Sequence, residues 1–208
     1  MSPIVRAARP ADSRQVGAML ARAFADDPVT SWVTPSGARR PATLRRLYTA
    51  IARFDAIPFA TVWVAVEGET IEAAAIWRAP RRPASPRAVP FALAAGWALG
   101  TDIPRMTRAG VAVARARPRG DHWYLQLLGV DPSRQRSGAG SALMEHVLAL
   151  VDADGMPACL ETTIENLDFY ARFGFAVRSE IIVGRGAPAE FALVRRPGRQ
   201  PDRRPAAN

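Results

Sequence analysis

The chain contains no lysine, so its 28 strongly basic side chains are all arginines. It has a single cysteine, Cys159, which cannot form an internal disulfide, so nothing points to an oxidising compartment. Its two histidines, His122 and His146, lie far apart and give no zinc-ligand spacing, so no metal is expected. The longest mostly apolar stretch, Pro90 to Gly100, falls short of the roughly 20 residues a bilayer-spanning helix needs. Met1 to Gln15 lacks the apolar centre of a secretory signal. These absences lead us to expect a soluble, cytoplasmic protein without membrane attachment.

What is present fits one globular domain. The 208 residues are 49% hydrophobic and 23% charged, enough for one sizeable core. The expected domain covers 1–196, with a helical insert at about 80–120 and a disordered Pro/Arg-rich tail over 197–208. The formal charge of +9 favours anionic partners such as nucleic acid, an acidic membrane surface or a phosphorylated cofactor. The arginines gather in a Pro-rich stretch (Arg81, Arg82, Arg87) and in the tail (Arg195, Arg196, Arg199, Arg203, Arg204). These read as solvated loops. No helix is lined with arginine, so no nucleic-acid partner is expected.

Along the chain, Ile4 to Ala8 reads as a strand. Asp12 or Ser13 is placed to cap a helix striped by Val16, Met19, Leu20, Ala23 and Phe24. Asp26, Asp27 and Pro28 stop it. Leu44, Leu47, Tyr48, Ile51 and Phe54 stripe a second helix. Thr61–Val66 and Ile71–Trp77 form a hairpin across Glu67-Gly68-Glu69. Helices are expected at Phe91–Gly100 and Ile103–Ala116, then a strand over Trp123–Val130. Next come a helix over Ser137–Ala153, a strand over Ala158–Glu161 and a short helix over Asn166–Phe173. Two late strands follow, Val177–Val183 and Glu190–Val194. This order predicts an α/β fold: a mixed, mostly antiparallel central sheet flanked by helices.

The segment from Val130 to Leu143 is the most informative. A strand leads through a glycine-containing loop straight into a helix. Amides at a helix start are unpaired and the helix dipole is positive there, so a pyrophosphate can bind without charged side chains. Gly138 and Gly140 let phosphates come close to the backbone, and Arg134 and Arg136 can add charge. The loop lacks a Walker Gly-Lys-Ser/Thr ending, and Leu143 stands where a dinucleotide fingerprint needs a third glycine. A tight strand–helix turn without ligand is the competing reading.

The wider spacing resembles the GNAT superfamily of N-acetyltransferases. Gln135-Arg136-Ser137-Gly138-Ala139-Gly140 matches that superfamily's Gln/Arg-x-x-Gly-x-Gly/Ala signature, and Leu128-Gly129-Val130-Asp131-Pro132 resembles its preceding strand. Leu160-Glu161-Thr162 followed by Asn166-Leu167-Asp168-Phe169-Tyr170-Ala171-Arg172-Phe173-Gly174-Phe175 resembles its second cofactor motif, most nearly that of puromycin N-acetyltransferase-like enzymes. The resemblance implies acetyl-CoA as co-substrate and a primary amine of a small molecule or peptide as acceptor. It implies that the backbone of Leu128, Gly129 and Val130 pairs with the pantetheine arm. Gln135 opens the loop, and Arg136, Ser137, Gly138, Ala139, Gly140 and Ser141 would hold the pyrophosphate. Asn166 would bond the cofactor arm, and Tyr170 would hand a proton to the leaving thiolate. Tyr170 is also readable as a packed aromatic.

The base that deprotonates the acceptor is open. Gln126 stands near where many relatives carry a glutamate. Glu161 is the first candidate, with a helix-capping role as its alternative, and His122 is a more distant one. The acceptor site is expected between the first two helices, the Pro-Arg loop and the insert, with Trp32, Trp97 or Trp123 on its wall and Asp26 or Asp27 as attractors. Other readings are a non-catalytic acyl-CoA sensor and a protein or N-terminal acetyltransferase. Oligomeric state is open, a homodimer included.

Overall fold

A computed structural model describes residues 3–34, 37–83, 85 and 87–198. Its strands are β1 (Ile4–Ala7), β2 (Val62–Glu67), β3 (Thr70–Arg78), β4 (Trp123–Val130), β5 (Ala158–Thr162), β6 (Ala176–Ile181) and β7 (Glu190–Arg195). They form one sheet in the order β1-β2-β3-β4-β5-β7-β6. Every neighbouring pair is antiparallel except β4 and β5. This is the mixed sheet that the strand order predicts. Gly68 supplies the left-handed backbone, φ 59°, that the tight β2–β3 turn requires.

The helices are α1 (Ser13–Ala23), α2 (Pro28–Val33), α3 (Arg40–Ala50), α4 (Ala88–Leu99), α5 (Ile103–Ala116), α6 (Ala139–Asp154) and α7 (Leu167–Ala171). Strand alternation sends Val62 and Val64 to one face of the sheet and Trp63 and Ala65 to the other. On the first face Val16, Met19 and Leu20 of α1 and Leu44 and Leu47 of α3 pack against those valines and Ile76. On the second, Leu143, Met144, Val147 and Val151 of α6 cover Trp77, Leu160 and Leu193. The result is helix, sheet, helix, with a core on each face.

Several local expectations change. The stripe of α3 is broken at its end, where Ile51–Ala56 widens into a π-turn. The extra residue in that turn rotates the following positions. Asp55, not Phe54, therefore points inward and receives Arg78 at 2.8 Å and Arg82 at 2.7 Å. Asp12 does not cap α1 through its side chain; its carboxylate is spent on Arg6 at 2.7 Å and on the Arg9 amide at 2.6 Å. Asp27 opens a helix instead of closing one, accepting from the Thr30 amide at 2.7 Å.

Arginines of both clusters are engaged. Arg81 pairs with Asp121, and Arg195 pairs with Asp152 at 2.5 and 2.8 Å. Of the expected tail, residues from 199 onward lie outside the described residues. Among the described residues no helix is long and apolar enough to cross a membrane. Helix α4 is loosely seated: only Ala98 and Leu99 are buried, while Val89, Leu93 and Trp97 are each about 70% exposed.

Candidate active site

The parallel pair β4–β5 is joined at only two positions, Trp123 with Ala158 and Tyr124 with Cys159. Past Tyr124, β4 stays paired with β3 as far as Val130, while β5 stays with β7. The strands part into a wedge, and among the described residues the edge of β4 that faced β5 has no strand partner past Tyr124. Gly129 belongs to this stretch. A side chain there would meet Leu20 at 2.8 Å and Ala23 at 3.1 Å, so the glycine lets α1 lie directly on the strand.

At the end of β4, Asp131 accepts from the amide and hydroxyl of Ser133 and from Arg22 of α1, which fixes the exit of the strand. The chain then turns into α6. The helix starts at Ala139, two residues later than the sequence suggests, with Gly138 as its cap at φ 88°. Gly138 has no side chain with which to cap this helix; the Ala139 amide donates to the Ser137 hydroxyl at 3.4 Å, and the next two amides, of Gly140 and Ser141, have no intrahelical acceptor. A Cβ at Gly138 would meet nothing within 4 Å, so the approach from that side is open. Gly140 is packed instead, its missing Cβ lying 3.3 Å from Val130. Arg136, itself in the left-handed region at φ 65°, makes no ion pair among the described residues. Arg134 is not available to a ligand in the same way: it is ion-paired with Glu67 and, at 3.0 Å, with Glu72. The donors and the space therefore suit a pyrophosphate.

A cavity of about 390 Å³ sits at the wedge. Gln126, Leu128, Glu161, Asn166 and Tyr170 line it from the sheet side and α7. Its other wall comes from α2, α3, the π-turn after α3 and α5, including Val33, Leu47, Ile51 and Met106. Of the expected acceptor-site residues, Asp27 lies on this wall, whereas Asp26, Trp32, Trp97 and Trp123 do not. Trp123 packs edge-on against Trp77 and donates to Asp154, and Trp97 lies under Arg46 at the surface. The Pro-Arg loop and His122 line a separate cleft, where His122 meets the Gly120 carbonyl.

Tyr170 is held by ring contacts to Phe169 and Phe175. Its hydroxyl makes no hydrogen bond among the described residues. Burial, and then the negative charge of Glu161, push its pKa up, so the phenol keeps its proton. Glu161 is nearly buried, 3.4 Å from Arg117, whose guanidinium stacks over Tyr124. Burial raises its pKa, while Arg117 and Tyr124 oppose that rise. Gln126 accepts from Arg78 at 3.0 Å and so is tied to the Asp55 pair. Cys159 is buried, its thiol pushed up to about 12 by burial first, which makes it inert as a nucleophile.

One group was missed from the sequence. Glu190, the first residue of β7, is 8% exposed and lines the same cavity. Its carboxylate has no hydrogen bond or ion pair among the described residues. Burial, then the charges of Glu161 and Asp27, raise its pKa to about 7. The signal was available: Glu190 shares strand phase with Ala192, which is buried.

Known proteins bear on this geometry. The model of the acetyltransferase (GNAT) family matches residues 39–175, well over half of the chain. An acetyltransferase structure from Corynebacterium glutamicum, described as histone acetyltransferase HPA2 and related acetyltransferase, is 28% identical. It superposes with a TM-score of 0.72, covering 97% of this chain and 99% of its own. The ribosomal-protein-S18-alanine N-acetyltransferase of Escherichia coli shares the fold, at 14% identity and a TM-score of 0.52 over 96% of this chain and 97% of its own. An uncharacterised N-acetyltransferase of Schizosaccharomyces pombe is 34% identical over 71 residues, which span 33% of this chain and only 29% of the yeast protein. With the wedge between β4 and β5, the uncapped start of α6 and the matched family model, the chain belongs to the GNAT acetyltransferase family.

Proposed function

We propose that this protein transfers the acetyl group of acetyl-CoA to a primary amine of a small molecule or peptide by direct attack. The observation that carries this reading is the junction of the wedge with the uncapped start of α6: the open β4 edge leads to free amides at one end and to the Tyr170 cavity at the other. In this reading the backbone of Leu128, Gly129 and Val130 and the side chain of Asn166 hold the pantetheine arm. Gln135, Arg136, Ser137, Gly138, Ala139, Gly140 and Ser141 form the pyrophosphate cradle. Acetyl-CoA supplies an activated thioester. Tyr170 keeps its proton at neutral pH and donates it, or a hydrogen bond, to the departing sulfur. Direct attack is supported by the inert, buried Cys159, the chain's only thiol. The base is sought among the cavity carboxylates, of which Glu161 is the one the sequence points to. The run from Leu160 to Phe175 supports a place near puromycin N-acetyltransferase-like enzymes.

The test is acetyl-CoA binding by calorimetry. Native protein is expected to bind, and Ser141→Glu, which sets a carboxylate on the partly exposed first turn of α6, to bind at least about 100-fold more weakly while melting cooperatively. Equal affinity in the two proteins would remove the phosphate role of the loop. Binding without CoA release across a panel of amines would favour the acyl-CoA sensor reading.

A further inference from the structure

Three carboxylates line the cavity, Asp27, Glu161 and Glu190, and their circumstances differ. Asp27 accepts from the Thr30 amide at the start of α2. Glu161 has Arg117 at 3.4 Å and the Tyr124 phenol beside it. Glu190 alone has neither hydrogen bond nor counter-ion among the described residues. The arginines that reach the cavity do not compensate it: Arg78 is committed to Asp55 and Gln126, and Arg117 to Glu161. In a chain with a formal charge of +9, this cavity thus holds uncompensated negative charge. An unpaired carboxylate in a site of low polarity is costly unless a cation or a proton joins it.

The rest of the lining sets the shape of that cation. Val33, Leu44, Leu47, Ile51 and Met106 form an apolar wall on the helix side, which also carries Asp27, facing Glu161 and Glu190 of the sheet and Tyr170 of α7. A ligand that satisfies both walls has an ammonium end and an apolar body.

We propose that the acceptor is a primary amine with an apolar body that enters as an ammonium ion, and that Glu190, not Glu161, takes its proton. This rests on the acetyltransferase reading above. One N–H proton passes from the ammonium to the Glu190 carboxylate, leaving a neutral amine and a carboxylic acid. The nitrogen lone pair then forms the N–C bond to the carbonyl carbon of the acyl-CoA thioester, and the C–S bond breaks with its electron pair on sulfur. Sulfur takes its proton from Tyr170, and the second proton leaving nitrogen restores that phenol. Glu190 returns its proton to solvent after the amide leaves, so the net release is one proton per turnover. Glu161 holds Arg117 and Tyr124 in place and keeps Glu190 avid for a proton by like charge. The charged groups lining the cavity with Glu190 are Asp27, Glu161, Arg78 and Arg117, with the phenols of Tyr48, Tyr124 and Tyr170.

The experiment uses hexylamine as acceptor and hexanol as its uncharged counterpart. In native protein kcat/KM for hexylamine should rise with pH through a limb near 7. Glu190→Gln should lose about 100-fold and the limb with it, while Glu190→Asp keeps the limb at a lower rate. Glu161→Gln should keep the limb and move it to lower pH, because one like charge is gone. Independently of turnover, calorimetry at pH 7.5 should show native protein preferring hexylamine to hexanol, a preference Glu190→Gln loses. Full rate, an intact limb and unchanged preference in Glu190→Gln would overturn the proposal and leave the acetyltransferase reading standing. Loss of the limb in Glu161→Gln instead would return the base to Glu161. A native protein that binds acetyl-CoA but acetylates no amine overturns the enzyme reading and the proton transfer together.

Discussion

Two apolar helices of this molecule meet opposite fates. Helix α6 buries Leu143, Met144, Val147, Leu148 and Val151 against the sheet and presents the Gly140 and Ser141 amides at its first turn. Helix α4 is the more apolar segment by composition, yet leaves Val89, Leu93 and Trp97 largely exposed. Apolar content says that a helix can be buried; the strands on either side decide whether it is. Helix α6 links the parallel strands β4 and β5 and must lie across the sheet to do so. Helix α4 follows the antiparallel strand β3 and is free to ride on α3 at the periphery.

Four substitutions test that difference, from the largest effect to the smallest. Leu143→Ala should cost about 2–5 kcal/mol in a urea melt, because it opens a cavity in a fully buried stripe. A loss below about 1 kcal/mol would mean that α6 is no more anchored than α4. Tyr170→Phe should lower turnover by about 100-fold with acetyl-CoA affinity unchanged, close to 3 kcal/mol in the transition state. Full turnover would reduce Tyr170 to a packing residue like those of the stripe.

Glu190→Gln should stabilise the fold at pH 8. The folded-state pKa of Glu190, about 7, lies above its ordinary value. Its contribution to stability is therefore complete in acid and lost as pH rises through 7. The neutral amide escapes that loss, by up to about 3 kcal/mol at pH 8 and by little at pH 4. A gain independent of pH would show that the charge of Glu190 is not what the cavity resists. Leu93→Ser on α4 should change stability by less than about 0.5 kcal/mol; a larger loss would mean that α4 is covered in solution.

The same contrast governs what could be read from the residues. Trp123–Val130 has the ends expected of it, and the α6 stripe is buried as its spacing predicts, because strand alternation and helical period apply where elements pack on a sheet. The strand–loop–helix junction was legible because the turn into α6 needs a left-handed residue, and Gly138 supplies it at φ 88°. Phe54 was misplaced because a π-turn adds a residue that the helical period does not count. Arg134 was read as able to add charge at the loop, but it pairs with Glu67 and Glu72 of the β2–β3 hairpin, remote in sequence. None of Trp32, Trp97 or Trp123 lines the cavity, because tryptophan identity carries no address; its aromatic lining is Phe24, Tyr48, Tyr124 and Tyr170. Glu190 was passed over as an ordinary strand start, although its phase with Ala192 marks it as inward.

Every ion pair described above is built on a guanidinium: Arg78 with Asp55, Arg117 with Glu161, Arg134 with Glu72, Arg195 with Asp152. A guanidinium stays charged at any pH the protein meets and is a poor nucleophile toward thioesters. In a chain without lysine, no side chain offers the chemistry this family performs. The scaffold that holds the site together is thereby blind to its own reagent, and neither self-modification nor stray acylation by the thioester pool can loosen those pairs.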